Sequence, residues 1–278
     1  MLTASMLIFG TIGIARRFIL LSSGLLAFCR GIFGALFLMA FVKVRGRHIF
    51  AGLEKTTFAW LAISGGIIGL NWILLFEAYN YTSVSVATLC YYMEPTIVIL
   101  ASALLFREKM TVKKIVCTLL ALIGMVLISG AGQGGGLAAS ESRGIFLGLG
   151  AAVLYASVIL MNKRIKGIDA FAKTIIQLFF AGAVLLPYLL ATGEFRDIPW
   201  SARTVLLLIL IVIVHTGIAY ALYFGSMDGL RTQTVALFSY IDPVTALILS
   251  GIVLNEKMTL AGMVGAVLIL GSAIAGEM

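Results

Sequence analysis

Apolar residues run along this chain in long blocks, broken by short polar connections. Ten blocks reach or approach the roughly 20 apolar residues that a helix needs to cross a bilayer core of about 30 Å. They cover about 2–15, 24–41, 57–78, 83–106, 112–129, 145–161, 170–191, 205–227, 232–254 and 260–275. The runs are uninterrupted, whereas a membrane barrel would alternate polar and apolar residues, so the spans are expected to be helices. Gly65 and Gly69 in the third span, and Gly144 and Gly148 at the start of the sixth, have the GxxxG spacing that lets helix backbones approach in lipid.

Composition supports this reading. The chain has 278 residues, of which 61% are hydrophobic and only 12% charged, with a mean hydropathy of +1.10. Too few charged side chains are present to dress the surface of a soluble domain of this size. An ordinary cytosolic enzyme, a disordered chain and a secreted disulfide scaffold are excluded. The net charge of +8 is explained by loop placement, without nucleic acid. With the amino terminus placed in the cytoplasm, 13 basic residues fall in inside loops and six in outside loops, with Arg30 left within a span. Both termini are therefore expected to be cytoplasmic. Cys29, Cys90 and Cys117 sit in apolar runs with no metal-type spacing, and His48 and His215 lie too far apart for a zinc motif. The chain opens in an apolar stretch with no basic leader and no cleavage-like site, so the first span is expected to be retained.

The two halves repeat each other. YYMEPTIVILASALLFREKMT, ending at Thr111, aligns without a gap with SYIDPVTALILSGIVLNEKMT, ending at Thr259, at a constant offset of 148. Tyr92 meets Tyr240, Glu94 meets Asp242, Pro95 meets Pro243, and Glu108-Lys109-Met110-Thr111 meets Glu256-Lys257-Met258-Thr259. The expected organisation is a first five-helix repeat over 1–130, an outside-facing linker over 131–144 containing Gly134-Gly135-Gly136, and a second five-helix repeat over 145–278. Five is odd, so the second copy enters the membrane from the opposite side. The charges agree: Arg107, Lys113 and Lys114 become Asn255, Ala261 and Gly262. Inverted repeats are the architecture of secondary transporters, with the substrate site near the midplane between the halves.

These Tyr-x-x-Pro and Glu-Lys-Met-Thr segments, each followed by a Gly-bearing span, resemble those of the EamA-type transporters of the drug/metabolite transporter superfamily. So does the opening Phe9-Gly10-Thr11-Ile12-Gly13, with Arg30 in the second span. The resemblance covers essentially the whole chain. It implies an all-α integral membrane fold of ten helices in two inverted repeats, with a central cavity lined by both halves. It also implies a multi-pass protein of the bacterial inner (plasma) membrane, similar to exporters of amino acids, other metabolites and drugs.

Ionisable groups within a span are costly and are read first as functional. Arg30 cannot shed its charge. It either binds a substrate carboxylate or pairs with a span acid such as Glu94, or else snorkels to a headgroup or caps helix-end carbonyls. Glu94 and Asp242 precede prolines that release backbone carbonyls, and a carboxyl there could carry a proton from one side to the other. The alternative is a pair of acids that stabilise a kink and were copied by duplication. Glu108-Lys109 and Glu256-Lys257 read as helix caps at the interface, Glu77 as an interfacial residue, and His215 as a hydrogen-bonded core histidine. Asn71, Trp72, Tyr92, Gln177 and Tyr240 are the candidate cavity lining, drawn from a pool that includes Tyr91, Tyr155 and Tyr223.

The expected activity is secondary active transport of a small organic metabolite, an amino acid or a related compound, in the export direction. Alternating access is the expected mechanism and protons are the candidate coupling ion. A lipid scramblase or an uncoupled facilitator is the alternative. A membrane-embedded enzyme lacks any HExxH or Asp-rich motif, and no Walker A sequence supports ATP drive. The expected partners are the solute and the lipid bilayer, with no cofactor, no metal and no nucleic acid. The expected assembly is a monomer or homodimer.

Overall fold

The structure is a computed structural model. It describes residues 1–46, 49–50, 53–106, 110–129, 139–165, 167–196, 198, 200–227, 235 and 238–277. The Glu108-Lys109 pair, His48 and most of the linker lie outside these. Among the described residues the chain is mostly helical and contains no strand. The first repeat holds α1 (Leu2–Gly10), α2 (Ile12–Phe18), α3 (Ser23–Val44), α4 (Lys55–Tyr81), α5 (Val84–Tyr91), α6 (Glu94–Phe106) and α7 (Val112–Ser129). The second holds α8 (Ala139–Arg164), α9 (Ala170–Ala183), α10 (Leu186–Thr192), α11 (Ala202–Ile209), a π-helical stretch (Leu210–Ile218), α12 (Ala219–Met227), α13 (Ile241–Val253) and α14 (Leu260–Glu277).

Six helical stretches are long and apolar enough to cross a bilayer: Ser23–Val44, Lys55–Tyr81, Val84–Leu105, Glu141–Arg164, Ala170–Thr192 and Ala202–Ser226. Ile241–Val253 and Leu260–Gly276 are shorter apolar helices. Large apolar side chains point outward, among them Leu104 (82% exposed), Val112 (78%) and Val267 (71%). That outward apolar surface suits a hydrocarbon solvent and not water.

Several spans are interrupted, and the sequence marks where. The fourth span breaks at Tyr92 and Met93, before Pro95, and α13 starts just after the turn at Tyr240, before Pro243. The seventh turns at Val184 and Leu185, before Pro187. A proline is tolerated in the first turn of a helix but cannot donate to the turn before it. Each span therefore restarts as a new helix. The break in the first span, at Thr11, has no proline; there the Thr11 hydroxyl bonds back to the Ile8 carbonyl (2.7 Å).

Helix directions establish the inversion. Along α3 and the seventh span, Phe41 lies against Phe171 (ring centres 5.9 Å apart), Gly31 against Gly182, and Gly24 against Leu189. Numbers fall in one helix as they rise in the other, so these two equivalent spans run antiparallel. The fifth and tenth do the same. A Cβ leans toward its helix's amino end; one at Gly124 would meet Leu268 and Ile269, and one at Gly265 would meet Leu127 and Ile128. Only an antiparallel pair gives that pattern. In contrast, α4 runs parallel to α9, with Gly65 beside Gln177 and Gly69 beside Ala181. The GxxxG spacing of the third span is thus used to seat α4 on the seventh span. Gly144 and Gly148 of α8 pack against Thr82 and against Ala87 and Cys90 of the first repeat.

Candidate functional site: a cavity between the two repeats

Both repeats leave a gap where their broken helices meet. The cavity there has a volume of about 510 Å³, within the range of small-molecule sites. Its wall is built from pairs of positions related by the 148-residue offset. Trp72 and Tyr220, Leu75 and Tyr223, Tyr91 and Ser239, Tyr92 and Tyr240, Glu94 and Asp242, and Val98 and Ala246 all line it. The pseudo-symmetry of the repeat therefore passes through the cavity. Seven of the nine tyrosines in the chain face it.

Arg30 breaks this symmetry, since its counterpart at the same offset is Leu178, which is not part of the wall. Arg30 is 5% exposed. Its guanidinium lies 4.1 Å from the ring centre of Trp72 and 5.4 Å from that of Phe76, and its Nε donates to the Thr216 hydroxyl (3.1 Å). Among the described residues no carboxylate lies within ion-pair distance of Arg30. A stacked cation sheltered from water gains about 2 kcal/mol or more from such a ring, and its remaining N–H groups stay available to an anion. The snorkelling and Glu94-pairing readings of Arg30 both fail on this geometry.

Thr216 reaches Arg30 because the eighth span is π-helical there. Thr216 Oγ1 donates to the Ile211 carbonyl five residues back (3.2 Å), a relation the wider π turn permits. His215 lies in the same stretch, 3% exposed. It bonds Thr11 Oγ1 through Nε2 (2.7 Å) and the Leu210 carbonyl through Nδ1 (3.3 Å). It ties the eighth span to the break in the first, as expected for a core histidine.

Asp242 and Glu94 open the helices α13 and α6 at the cavity wall. Asp242 and Tyr92 line the same cavity, so the acid of one repeat shares it with the tyrosine of the other. Gly10 presses so closely on this region that a Cβ there would lie 2.6 Å from the Asp242 carbonyl oxygen.

Of the expected lining, Trp72, Tyr92 and Tyr240 face the cavity, as do Arg30, Glu94 and Asp242. Asn71 and Gln177 do not. Asn71 is fully buried and donates to the Ala151 carbonyl, stitching α4 to α8. Gln177 donates to Ser64 Oγ (2.7 Å) and Asn162 Oδ1 (2.9 Å), holding three helices together. Both amides satisfy helix packing, a use of polar groups that composition cannot separate from solute binding. Tyr79 lines the cavity and lies outside the expected pool; Tyr220, which the 148-residue offset pairs with Trp72, belongs to that pool and also lines it. The three cysteines are free and buried. Glu77 accepts from Ser23 and Asn80 at a second depression, of about 790 Å³, where Arg16 and Glu194 also lie.

Comparison with known proteins agrees with this architecture. The EamA-like transporter family matches residues 1–130 and 142–275. The chain is 29% identical over 265 residues to an uncharacterized transporter, YxxF, of Bacillus subtilis, covering 95% of this chain and 84% of that protein. It is 25% identical over 277 residues to an uncharacterized inner membrane transporter, YicL, of Salmonella typhimurium, covering 96% and 90%. Protein PecM of Dickeya dadantii is 27% identical over 210 residues, covering 74% and 69%. A solved crystal structure superposes with a TM-score of 0.66 over 98% of this chain and 93% of the other, at 22% identity, a likeness of fold alone. With a family match over nearly its whole length and helices in two inverted sets around one cavity, this multi-pass membrane protein belongs to the EamA-like transporter family of the drug/metabolite transporter type.

Proposed function

We propose that the chain is a secondary active transporter that moves a small carboxylate-bearing metabolite, an amino acid or a close relative, by alternating access. The observation that carries this reading is Arg30, held on Trp72 in a cavity formed by both repeats with no ion-pair partner among the described residues. A solute carboxylate would meet the guanidinium. Its amino group would meet the tyrosine faces and the acids Glu94 and Asp242. Export is the proposed direction and protons the proposed coupling ion, with Glu94 and Asp242 as the carriers. The proposed topology has both termini in the cytoplasm and the 131–144 linker outside, with repeats at 1–130 and 145–278. In that setting the cavity extends from Gly13, Tyr79 and Thr88 toward Met6, Ile99 and Tyr223 near the cytoplasmic face. Transport, not catalysis, is the use proposed for it.

The test is counterflow in proteoliposomes loaded with candidate solutes. Saturable exchange of a radiolabelled amino acid, faster under an imposed pH gradient, supports the proposal. Flux that does not saturate, or lipid movement without solute exchange, overturns it.

A further inference from the structure

Beyond the cavity, at the end where α2 and α4 finish and α5 begins, one carboxylate joins three parts of the molecule. Asn255, in the left-handed conformation (φ 53°), ends the turn after α13. This conformation is strained for most side chains but accessible to asparagine. The next backbone N–H, that of Glu256, folds back onto the Ser250 carbonyl (3.2 Å). The Glu256 side chain is thereby aimed at the other repeat. Its Oε1 accepts from the Val84 N–H (2.9 Å) and its Oε2 from the Ser85 N–H (3.2 Å). These are donors at the start of α5 that have no partner within the helix. The same carboxylate lies 3.5 Å from Arg17 at the end of α2, and Arg17 also donates to the Thr82 carbonyl (2.7 Å). Beneath it the Ser85 and Ser250 hydroxyls bond each other across the repeats.

This cluster lies just beyond the cavity's end. Gly13, Tyr79 and Thr88 line the cavity, while Val84 and Ser250 are fully buried. A Cβ at Gly13 would sit 2.6 Å from Val84 Cγ1, so α2 and α5 are closed on each other there. The contacts that join the two repeats at this end are polar and centre on Glu256, with the Ser85–Ser250 pair beneath it.

Resting on the transport reading above, we infer that Glu256 is a latch. It holds this end of the cavity shut by bonding the start of α5 and Arg17, and it releases when the opposite conformation forms. A permanent clamp would make the same contacts but would never open.

The experiment uses the full chain in membrane vesicles, with Cys29, Cys90 and Cys117 replaced by alanine and Thr88→Cys introduced as a probe. Modification at position 88 by a membrane-impermeant maleimide is read by mass spectrometry from each face. Loss of one charged contact of about 1 kcal/mol shifts a two-state balance by about fivefold. Glu256→Gln is thus expected to raise labelling from the face bearing Glu256 by about that factor, and Arg17→Gln by less, because the two backbone bonds survive. A Ser85→Cys/Ser250→Cys pair, oxidised, is expected to abolish labelling from that face, and reductant to restore it. The double-cysteine arm carries the test alone if Glu256→Gln does not fold. Unchanged labelling in Glu256→Gln, or labelling indifferent to the disulfide, overturns the latch even where solute counterflow is intact. Absence of counterflow for any solute overturns the transport reading instead, and altered labelling then still supports a latch at this end.

Discussion

Gly124 and Gly265 face each other across the antiparallel fifth and tenth spans. A methyl group added to Gly124 would lie 2.7 Å from the Gly265 carbonyl oxygen, and one added to Gly265 would lie 2.6 Å from that of Gly124. Here the two repeats touch backbone to backbone. Without water to drive helices together in lipid, such close packing supplies much of their attraction. Gly265→Ala is expected to destabilise the protein by about 1–3 kcal/mol through overpacking, read as a lower melting temperature in detergent. Gly271 lies on the same helix, and a Cβ added there would meet nothing within 4 Å. Gly271→Ala is expected to be neutral or stabilising by up to about 1 kcal/mol.

Arg30 and Trp72 form the part of the cavity that would discriminate by charge. Arg30→Lys keeps the charge but loses the planar fork and its stacking. A carboxylate ligand is expected to bind about tenfold more weakly, while its decarboxylated amine is unaffected; isothermal titration with the matched pair checks this. Equal losses for both ligands would show that Arg30 holds the wall and does not touch the solute.

Thr216 positions Arg30 from the π-helical stretch. Thr216→Val keeps the side chain's shape and removes both the acceptor for Arg30 Nε and the donor to Ile211. A loss of about 1 kcal/mol is expected, seen as roughly fivefold weaker solute affinity. The helical content by circular dichroism is expected to be unchanged.

Asp242 and Glu94 separate coupling from binding. Asp242→Asn removes the group that could carry a proton but keeps a polar side chain of nearly the same shape in the cavity wall. Uptake driven by a pH gradient is expected to fall to the level of passive exchange, while counterflow at equal pH persists. If Asp242→Asn and Glu94→Gln both retain full pH-driven uptake, neither acid couples protons.

The spans, their helical character, the duplication and its inversion could all be read from the chain. The apolar runs have the length that lipid demands, and an odd number of spans per copy forces the second copy to enter reversed. Pro95 and Pro243 marked where spans restart, because a proline's effect on the backbone is local. The GxxxG sites foretold close packing but not which helix each would meet.

What could not be read was the direction in which each polar group faces. Asn71 and Trp72 are neighbours in sequence, yet one bonds the Ala151 carbonyl and the other lines the cavity. Glu256 looked like a cap for its own helix turn, and it caps α5 of the other repeat. Thr216 reached Arg30 only through a π turn that no propensity signalled. The amino-acid sequence by itself determined which segments suit lipid and where prolines restart a helix, since those depend on transfer to lipid and on local backbone chemistry. Tertiary packing alone decided which polar side chains share a chamber, because that depends on how distant helices rotate and cross.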